Sequence, residues 1–209
     1  ASYGPNGTLT NAVSTAPASC KFNRCYDFDG DNDYIEIDGS SSTDTFTAEV
    51  WGNFDVTDSD DWWYGDENDY DIGVNSDNVQ LYHDGGREIS SDIPVTTGNW
   101  YYLAFSASTD VDYYYVNGTA DADISTTFFG SLNLRSTIGT TSAYKNFGID
   151  GRLDEFRMST VNRTAGWIST TFNNMNDPSS FLTIDGQESG IATDENGSYN
   201  HTFSINKTA

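Results

Sequence analysis

The stretch that most constrains the fold is residues 98–118, GNWYYLAFSASTDVDYYYVNG. It holds two runs of aromatic and β-branched residues, separated by a polar break at 106–112. Such residues fit the pleated surface of a strand, and no 3.6-residue apolar period competes with this interpretation. Asn117 and Gly118 then supply a turn whose residues tolerate positive φ. The stretch therefore predicts two long antiparallel strands at the centre of a sheet.

Composition favours an all-β domain around this pair. The 209 residues include 19 glycines, 4 prolines and 14% aromatics, and runs of helix-favouring residues are nearly absent. A single domain of this size buries roughly 70% of its unfolded surface, so its core needs no network of metals or disulfides. This composition points to a sandwich or a barrel. One short helix is expected at about 165–174, N-capped by Thr164.

The composition changes near the C-terminal end. The all-β domain is expected over residues 1–186, and residues 187–209 are interpreted as a linker followed by one alternating strand at 198–206. A strand without a partner is ordered only where it docks. Three alternatives stay open: the strand adds to a neighbouring molecule's sheet edge, docks on its own domain, or begins a further domain.

The net charge of −23 restricts the partners of the chain. A surface of this kind repels nucleic acid and anionic lipid, because both need cationic neutralisation. No apolar run approaches the roughly 20 residues needed to cross a bilayer, so direct membrane insertion is not expected. The carboxylates suit a solvated coat on a secreted protein, and some of them also suit Ca²⁺ ligation.

The two cysteines, Cys20 and Cys25, indicate the compartment. Their spacing fits neither a zinc site nor a redox CxxC motif. In a secreted protein a disulfide closing this small loop is the simplest interpretation, whereas in a reducing cytosol both would stay thiols. No signal peptide is visible, so a secreted chain would begin after a processing site. We expect an extracellular or cell-surface location.

An acidic loop at 55–71, DVTDSDDWWYGDENDYD, places aromatic rings among carboxylates. Trp62, Trp63 and Tyr64, together with Tyr82, are candidate ligand contacts, because exposed aromatics flanked by acids suit a sugar platform. The same rings also suit a strand edge that merely buries them. Candidate glycosylation sequons begin at Asn6, Asn117, Asn162, Asn196, Asn200 and Asn206.

Several stretches, taken in order, resemble the laminin-G-like jelly-roll family, a branch of the concanavalin A-like lectin and glucanase fold. The stretches are YDFDGDNDYIEI at 26–37, FTAEVWGNF at 46–54, GNWYYLAF at 98–105, YYVNG at 114–118 and GRLDEFRM at 151–158, followed by the helix that carries Trp167. The resemblance spans about residues 5–186. It implies an all-β fold, a two-sheet antiparallel β-sandwich (jelly roll) with one short helix near the C-terminal end, as in extracellular binding and adhesion modules.

Many members of this family carry Ca²⁺ at the sandwich rim. Carried over by position, Asp29 and Asp33 would be calcium ligands from the opening motif, and Asp154 one from the late strand. Asp31 lies in the same turn and joins the candidate set. Calcium prefers six to eight oxygen ligands, and this turn supplies carboxylates, an amide and carbonyls. The alternative is an acidic turn with no metal.

The same fold houses glucanases, which place two catalytic carboxylates on one strand face. The acidic triplets at 36–38 and 67–69 both lack the second glutamate of that pattern. The two histidines, His83 and His201, have no neighbouring cysteine, and no serine occupies a nucleophile elbow. We therefore predict that the chain is not an enzyme.

Two functions fit these observations. The first is a non-catalytic extracellular adhesion or carbohydrate-binding module, stabilised by calcium, whose partner is a glycan or a surface protein. The second is a structural subunit of an extracellular filament or sheath, which self-assembles by strand addition through residues 187–209.

Overall fold

The structure is a computed structural model that describes residues 7–11, 13–14, 19–38, 42–57, 61–66, 71–83, 87–109, 112–125, 132–133, 136–141 and 147–181. The strands of this part are β1 (Gly7–Thr10), β2 (Val13–Ser14), β3 (Tyr26–Asp29), β4 (Tyr34–Ile37), β5 (Ser42–Thr43), β6 (Phe46–Phe54), β7 (Asp61–Asp66), β8 (Asp71–Asn75), β9 (Asn78–His83), β10 (Arg87–Pro94), β11 (Trp100–Ala107), β12 (Asp112–Val116), β13 (Thr119–Ser125), β14 (Leu132–Asn133), β15 (Ser136–Ile138) and β16 (Asp150–Ser159). The helices are α1 (Ala165–Asn176) and α2 (Pro178–Phe181). Within the described ranges, no helix has the length and apolar character needed to cross a membrane.

The strands form two antiparallel sheets of seven strands each. Sheet A has the order β1-β4-β15-β7-β8-β9-β10, and sheet B has the order β13-β12-β11-β6-β16-β3-β2. A small ribbon pairs β14 with β5. The predicted sandwich is confirmed. Residues 187–209 lie outside the described ranges, so the predicted C-terminal strand is not tested.

The pair of strands expected from residues 98–118 lies within sheet B. β11 pairs with β12 in the register Leu103↔Val116, and β6 lies on the other side of β11. Asn117 lies in the turn between β12 and β13, and its backbone N–H donates to the Tyr102 carbonyl of β11 at 2.8 Å. Asn117 and Gly118 have φ values of 51° and 75°, as the Asn-Gly pair predicts.

β6 is buried along its whole length because both of its faces are covered. Alternate side chains of a strand point to opposite faces, so β6 contributes to two separate clusters. The core between the sheets takes its inward side chains, which are Phe46, Ala48, Val50 and Phe54. Trp51 points the other way and lies in a second cluster with Tyr102 and Ile168, where α1 covers the outer face of sheet B.

The predicted helix is present and extends two residues past the expected end. Thr164 is its N-cap, and its hydroxyl accepts a hydrogen bond from the Trp167 N–H at 3.3 Å. Phe172 stacks on Trp51 with ring centroids 5.8 Å apart. Cys20 and Cys25 form the predicted disulfide, with 5.4 Å between their Cα atoms. Burial of Trp51 thus depends on both the helix and its neighbours in sheet B.

One lateral edge of the sandwich is closed by a buried carboxylate. Asp121 on β13 is 4% exposed and accepts hydrogen bonds from the Ser91 hydroxyl at 2.6 Å and from the Asp92 N–H at 2.9 Å. Ser91 and Asp92 belong to β10, the last strand of sheet A. Asp121 therefore ties the edge of sheet B to the edge of sheet A.

We predict that Asp121→Ala lowers the free energy of unfolding by about 1–3 kcal/mol, because it leaves buried donors on β10 without their acceptor. Urea unfolding followed by tryptophan fluorescence measures the change. Asp92→Ala is the matched control, since removing this exposed side chain should change the free energy of unfolding by less than about 0.5 kcal/mol. Equal stability of the two variants would show that Asp121 does not hold the edges together.

Candidate functional site

One end of the sandwich concentrates carboxylates from four segments of the chain, and we call it the acidic rim. It is formed by β3 and the turn that follows it, the residue after β6, the start of β7 and the start of β16. Its members are Asp27, Asp29, Asp31, Asp33, Asp55, Asp61 and Asp150.

The turn between β3 and β4 is held by its own aspartates. The Asp29 N–H donates to Asp33 Oδ2 at 3.1 Å, and the Asp31 N–H donates to Asp29 Oδ1 at 3.1 Å. Gly30 has φ of 80°, and a Cβ built on it would lie 3.2 Å from the Cβ of Asp150. Glycine therefore gives the turn both its backbone conformation and its close approach to β16.

The chain entering β16 connects the remaining rim segments. A Cβ built on Gly148 would lie 3.8 Å from the Asp31 carbonyl oxygen, so this segment runs beside the turn. The Asp150 N–H donates to Asp61 Oδ1 at 3.4 Å, and the Asp55 N–H donates to the Asp150 carbonyl at 2.8 Å. Backbone hydrogen bonds thus bring separate acidic segments together at one end of the fold.

The rim has little compensating positive charge among the described residues. Arg152 pairs with two rim carboxylates, through Nε to Asp27 Oδ1 and Nη2 to Asp55 Oδ2, both at 3.4 Å. Burial raises the pKa of Asp33 and of Asp150, and the charges of neighbouring aspartates raise both further. The rim therefore holds negative charges close enough to oppose one another's ionisation.

Three of the four predicted calcium ligands lie in one turn, and the fourth lies elsewhere. Asp29, Asp31 and Asp33 share the rim turn, where Asp150 joins them. Asp154 lies four residues along β16, roughly 13 Å away at the rise of a strand, and it pairs in register with Trp51. Its carboxylate accepts from the Phe22 N–H at 2.9 Å and so holds the disulfide loop.

Calcium ligation itself stays a prediction. Within the described part of the chain, no three histidine, cysteine or acidic side chains converge in a way that could hold a metal ion. The rim thus has the oxygen chemistry that calcium prefers, without a converged set of ligands. Asp150 is the neighbour that sequence reasoning missed, because its approach to the turn depends on Gly30.

The aromatic residues expected to form a sugar platform are mostly buried, which corrects that interpretation. Trp63 and Tyr64 are 0% exposed and Trp62 is 5% exposed. A register shift between Trp62 and Tyr64 lets both Trp63 and Tyr64 face the core, where Tyr64 stacks on Phe156 with centroids 6.0 Å apart. These three residues therefore match the alternative interpretation, in which the strand edge buries its aromatic rings.

Tyr82 remains a candidate contact. It is half-buried on the outer face of sheet A, with its ring centroid 6.2 Å from that of Trp62. Two sequon residues, Asn117 and Asn162, lie in the described ranges, and the Asn117 amide oxygen accepts from the Tyr102 N–H at 3.0 Å. The sequons at Asn6, Asn196, Asn200 and Asn206 lie outside those ranges, and occupancy of all six stays a prediction.

The structure adds an exposed aromatic ring that sequence reasoning missed. Phe147 is 41% exposed and directly precedes Gly148, which lies against the rim turn. Its sequence signal is weak, because it stands alone in a polar stretch outside any strand pattern. An exposed aromatic residue thus stands one residue before the backbone that approaches the rim turn.

Comparison with known families agrees with this architecture. A family model described as the concanavalin A-like lectin/glucanases superfamily matches residues 29–169, more than half of the chain. The chain belongs to this superfamily. The matched range includes the rim turn, both central strands and the start of α1, so the resemblance found in the sequence motifs is confirmed. No curated protein matches the chain.

Solved structures share the concanavalin A-like fold at low sequence identity. A candidate carbohydrate-binding protein from Bacteroides ovatus is 20% identical with a TM-score of 0.56, over 78% of this chain and 45% of that one. Domain 4 of an extracellular arabinanase from Geobacillus stearothermophilus, solved with arabinotriose, is 16% identical with a TM-score of 0.59, over 78% and 86%. The binding domain of Paraclostridial Mosquitocidal Protein 1 is 14% identical with a TM-score of 0.62, over 83% and 48%.

We predict that Asp150→Asn stabilises the domain at pH 7 in low salt. Because the folded-state pKa of Asp150 is raised, the folded protein binds that proton more tightly than the unfolded chain. Stability therefore falls as pH rises from the ordinary value of 3.8 through the raised one, and the substitution removes this loss. We expect the melting temperature to rise by about 1–3 °C.

Differential scanning calorimetry of the wild type, Asp150→Asn and Asp92→Asn measures this effect. Asp92 is an exposed carboxylate outside the rim and serves as the matched control. The gain for Asp150→Asn should disappear at pH 3 and shrink in 1 M NaCl, since protonation and screening both weaken the repulsion among rim carboxylates. If the increase in melting temperature persists unchanged at pH 3, ionisation of the Asp150 carboxyl is not its cause.

Proposed function

We propose that this domain is a non-catalytic carbohydrate-binding module whose binding site is the acidic rim. The observation that carries the proposal is the exposed Phe147, which directly precedes Gly148, whose backbone lies against the rim turn. An aromatic ring can stack on the apolar face of a sugar, and carboxylate oxygens accept hydrogen bonds from sugar hydroxyls. A hydrogen bond to a charged group contributes about 1.5–3 kcal/mol.

Similar structures support this class of ligand. The arabinanase domain was solved with arabinotriose, and the Bacteroides ovatus protein is a candidate carbohydrate binder. Their identity to this chain is too low to transfer a particular sugar. The absence of a complete glucanase carboxylate pattern in the sequence supports binding rather than catalysis.

An extracellular location, and with it adhesion at a cell surface, belongs to the same proposal. The Cys20–Cys25 disulfide supports it, because disulfides persist mainly in oxidising compartments. The acidic composition is compatible with it, since net charge keeps an exposed domain soluble. The filament hypothesis depends on residues 187–209, which lie outside the described ranges, and it stays a prediction.

Calcium at the rim is a further part of the proposal. Asp29, Asp31 and Asp33 would be its ligands. A divalent cation there would reduce the repulsion by neighbouring aspartates that, in addition to burial, raises the pKa of Asp33. The ion would order the turn, and the hydrogen bonds to sugar proposed above do not depend on it.

We predict that 10 mM CaCl2 raises the melting temperature of the domain by about 3 °C, as expected for the millimolar affinity of many extracellular calcium sites. Asp33→Asn should remove most of this increase, and Asp92→Asn should leave it unchanged. Magnesium at the same concentration is the ionic control. An equal increase with magnesium would indicate general charge screening instead of a calcium site.

We predict that Phe147→Ala weakens binding of the best glycan found on a mixed array by about tenfold, because it removes the stacking ring. Trp167→Ala is the matched control: Trp167 is 48% exposed but lies on α1, away from the rim. It should change the dissociation constant by less than about twofold.

Tyr82→Ala tests the other candidate face in the same assay. If Tyr82→Ala abolishes binding and Phe147→Ala does not, the site lies on the outer face of sheet A and the rim assignment is wrong. If no glycan binds the wild-type domain in the presence or absence of Ca²⁺, the proposed function itself fails. Calorimetric melting of each variant checks that its fold is intact.

A further inference from the structure

We propose that the free edge of β1 is an interface at which two copies of this chain pair, so that sheet A continues antiparallel across a two-fold axis. The inference goes beyond the proposed function, because it concerns assembly of the domain and not its ligand. It follows from the position of β1 at a sheet edge, from the exposed side chains there and from the lack of charge in this part of the sequence.

The two lateral sides of the sandwich differ in how their edge strands are covered. On one side the edge strands are β10 and β13, which the buried Asp121 carboxylate joins. β10 also contains Pro94 and a register shift before it, and both hinder pairing with a further strand. On the other side the edge strands are β1 and β2, and among the described strands β1 has a neighbour, β4, on one side only.

Apart from its length of four residues, β1 lacks the features that protect an edge strand from pairing with another molecule. Its pairing with β4 runs without a bulge from Gly7↔Ile37 to Thr10↔Tyr34. Its sequence, GTLT, contains no proline and no charged residue, and its first three residues are exposed. Natural edge strands usually carry charges, prolines or bulges that prevent such pairing. The free edge of β1 therefore suits the addition of a further strand.

Exposed apolar side chains on this lateral side face the space between the sheets. Leu9 lies opposite Ile35, which packs against the core, yet Leu9 is 46% exposed. Tyr26 on β3, the neighbour of β2, lies opposite the core residue Leu153 and is 45% exposed. Directly opposite residues of a strand pair share a face of the sheet. A strand added beside β1 would therefore cover Leu9 and extend the core outward.

The charge of the chain favours a second copy as the occupant of this edge. Residues 1–20 contain no charged side chain, whereas the whole chain has a net charge of −23. Two copies repel one another wherever their acidic surfaces meet. Approach through β1 brings together two edges without charge, unlike approach through β10, whose sequence includes Glu88 and Asp92. The uncharged edge is thus where the repulsion between two copies is least opposed to pairing.

The pleat restricts the register of this pair. When a two-fold axis perpendicular to the sheet relates two antiparallel strands, a residue lies opposite its own counterpart, because only residues of the same parity share a face. An axis at Leu9 places Leu9 of one copy opposite Leu9 of the other and each Thr8 opposite a Thr10. Opposite Cβ atoms are about 4.5–5.5 Å apart in such pairs. The two exposed leucines would cover each other on the core-facing side.

The first test is analytical ultracentrifugation of the full chain, without glycan, over about 2–200 µM. We expect a reversible monomer–dimer equilibrium that tightens at least threefold between 50 mM and 500 mM NaCl, because salt screens the repulsion between two acidic molecules. Leu9→Lys should weaken the dimer at least tenfold, since it places like charges opposite each other. Val161→Lys is the matched control, because Val161 is 50% exposed but lies between β16 and α1. It should leave the dimerisation constant within twofold.

The second test is cross-linking, which reports the register directly. Leu9→Cys should give a covalent dimer under mild oxidation with diamide, since the two opposed Cβ atoms lie close enough for a disulfide. Val161→Cys should not, and Cys20 and Cys25 are already paired with each other. In the wild type, amide hydrogen exchange of residues 7–10 should slow as the protein concentration rises.

Three results would overturn the inference. The first is a wild-type chain that stays monomeric at about 200 µM, with hydrogen exchange at residues 7–10 independent of concentration. The second is a dimer that Val161→Lys weakens and Leu9→Lys does not, which would place the interface near α1. The third is an assembly that keeps growing with concentration, which would indicate head-to-tail strand addition. Melting curves of each variant check that its fold is intact.

Discussion

Burial of β6 on both faces is the constraint on which the rest of the structure depends. One face contributes to the core between the sheets, and the other places Trp51 beneath α1 and the disulfide loop. The register of β6 is strongly specified, because a slip by one residue would turn Thr47, Glu49 and Asn53 into the core between the sheets. Its neighbours β11 and β16 are fixed in turn, and β16 then places Asp150 at the rim.

The fixed positions of these strands also determine the geometry of the acidic rim. Close packing between Gly30 and Asp150 brings carboxylates nearer to one another than a flexible surface would keep them. The raised pKa of Asp33 and that of Asp150 report the resulting electrostatic cost together with desolvation. A site that is unfavourable when empty can gain from a cationic ligand, which is the basis of the calcium proposal.

Much of the fold could be predicted from the sequence because local patterns and tertiary packing agree. The aromatic strands at 98–118, the Asn117 turn and the Thr164 N-cap each follow from local chemistry, and the structure contains all three. The candidate site was harder to predict from the sequence than the fold. Burial of Trp63 and Tyr64 depends on a register shift in β7, and the separation of Asp154 from the rim depends on its position along β16, neither of which has a local signature.

The residues that pack over Trp51 determine where the domain can be truncated. Phe22, in the disulfide loop, packs edge-on against Trp51 with ring centroids 6.0 Å apart, and Phe172, on α1, stacks on it at 5.8 Å. Lys21 Nζ donates to Asn176 Oδ1 at 3.0 Å, so the disulfide loop and α1 also contact each other directly. A fragment trimmed within either segment would expose the indole and present an apolar surface to other molecules. The smallest independently soluble unit must therefore include both the disulfide loop and the whole of α1.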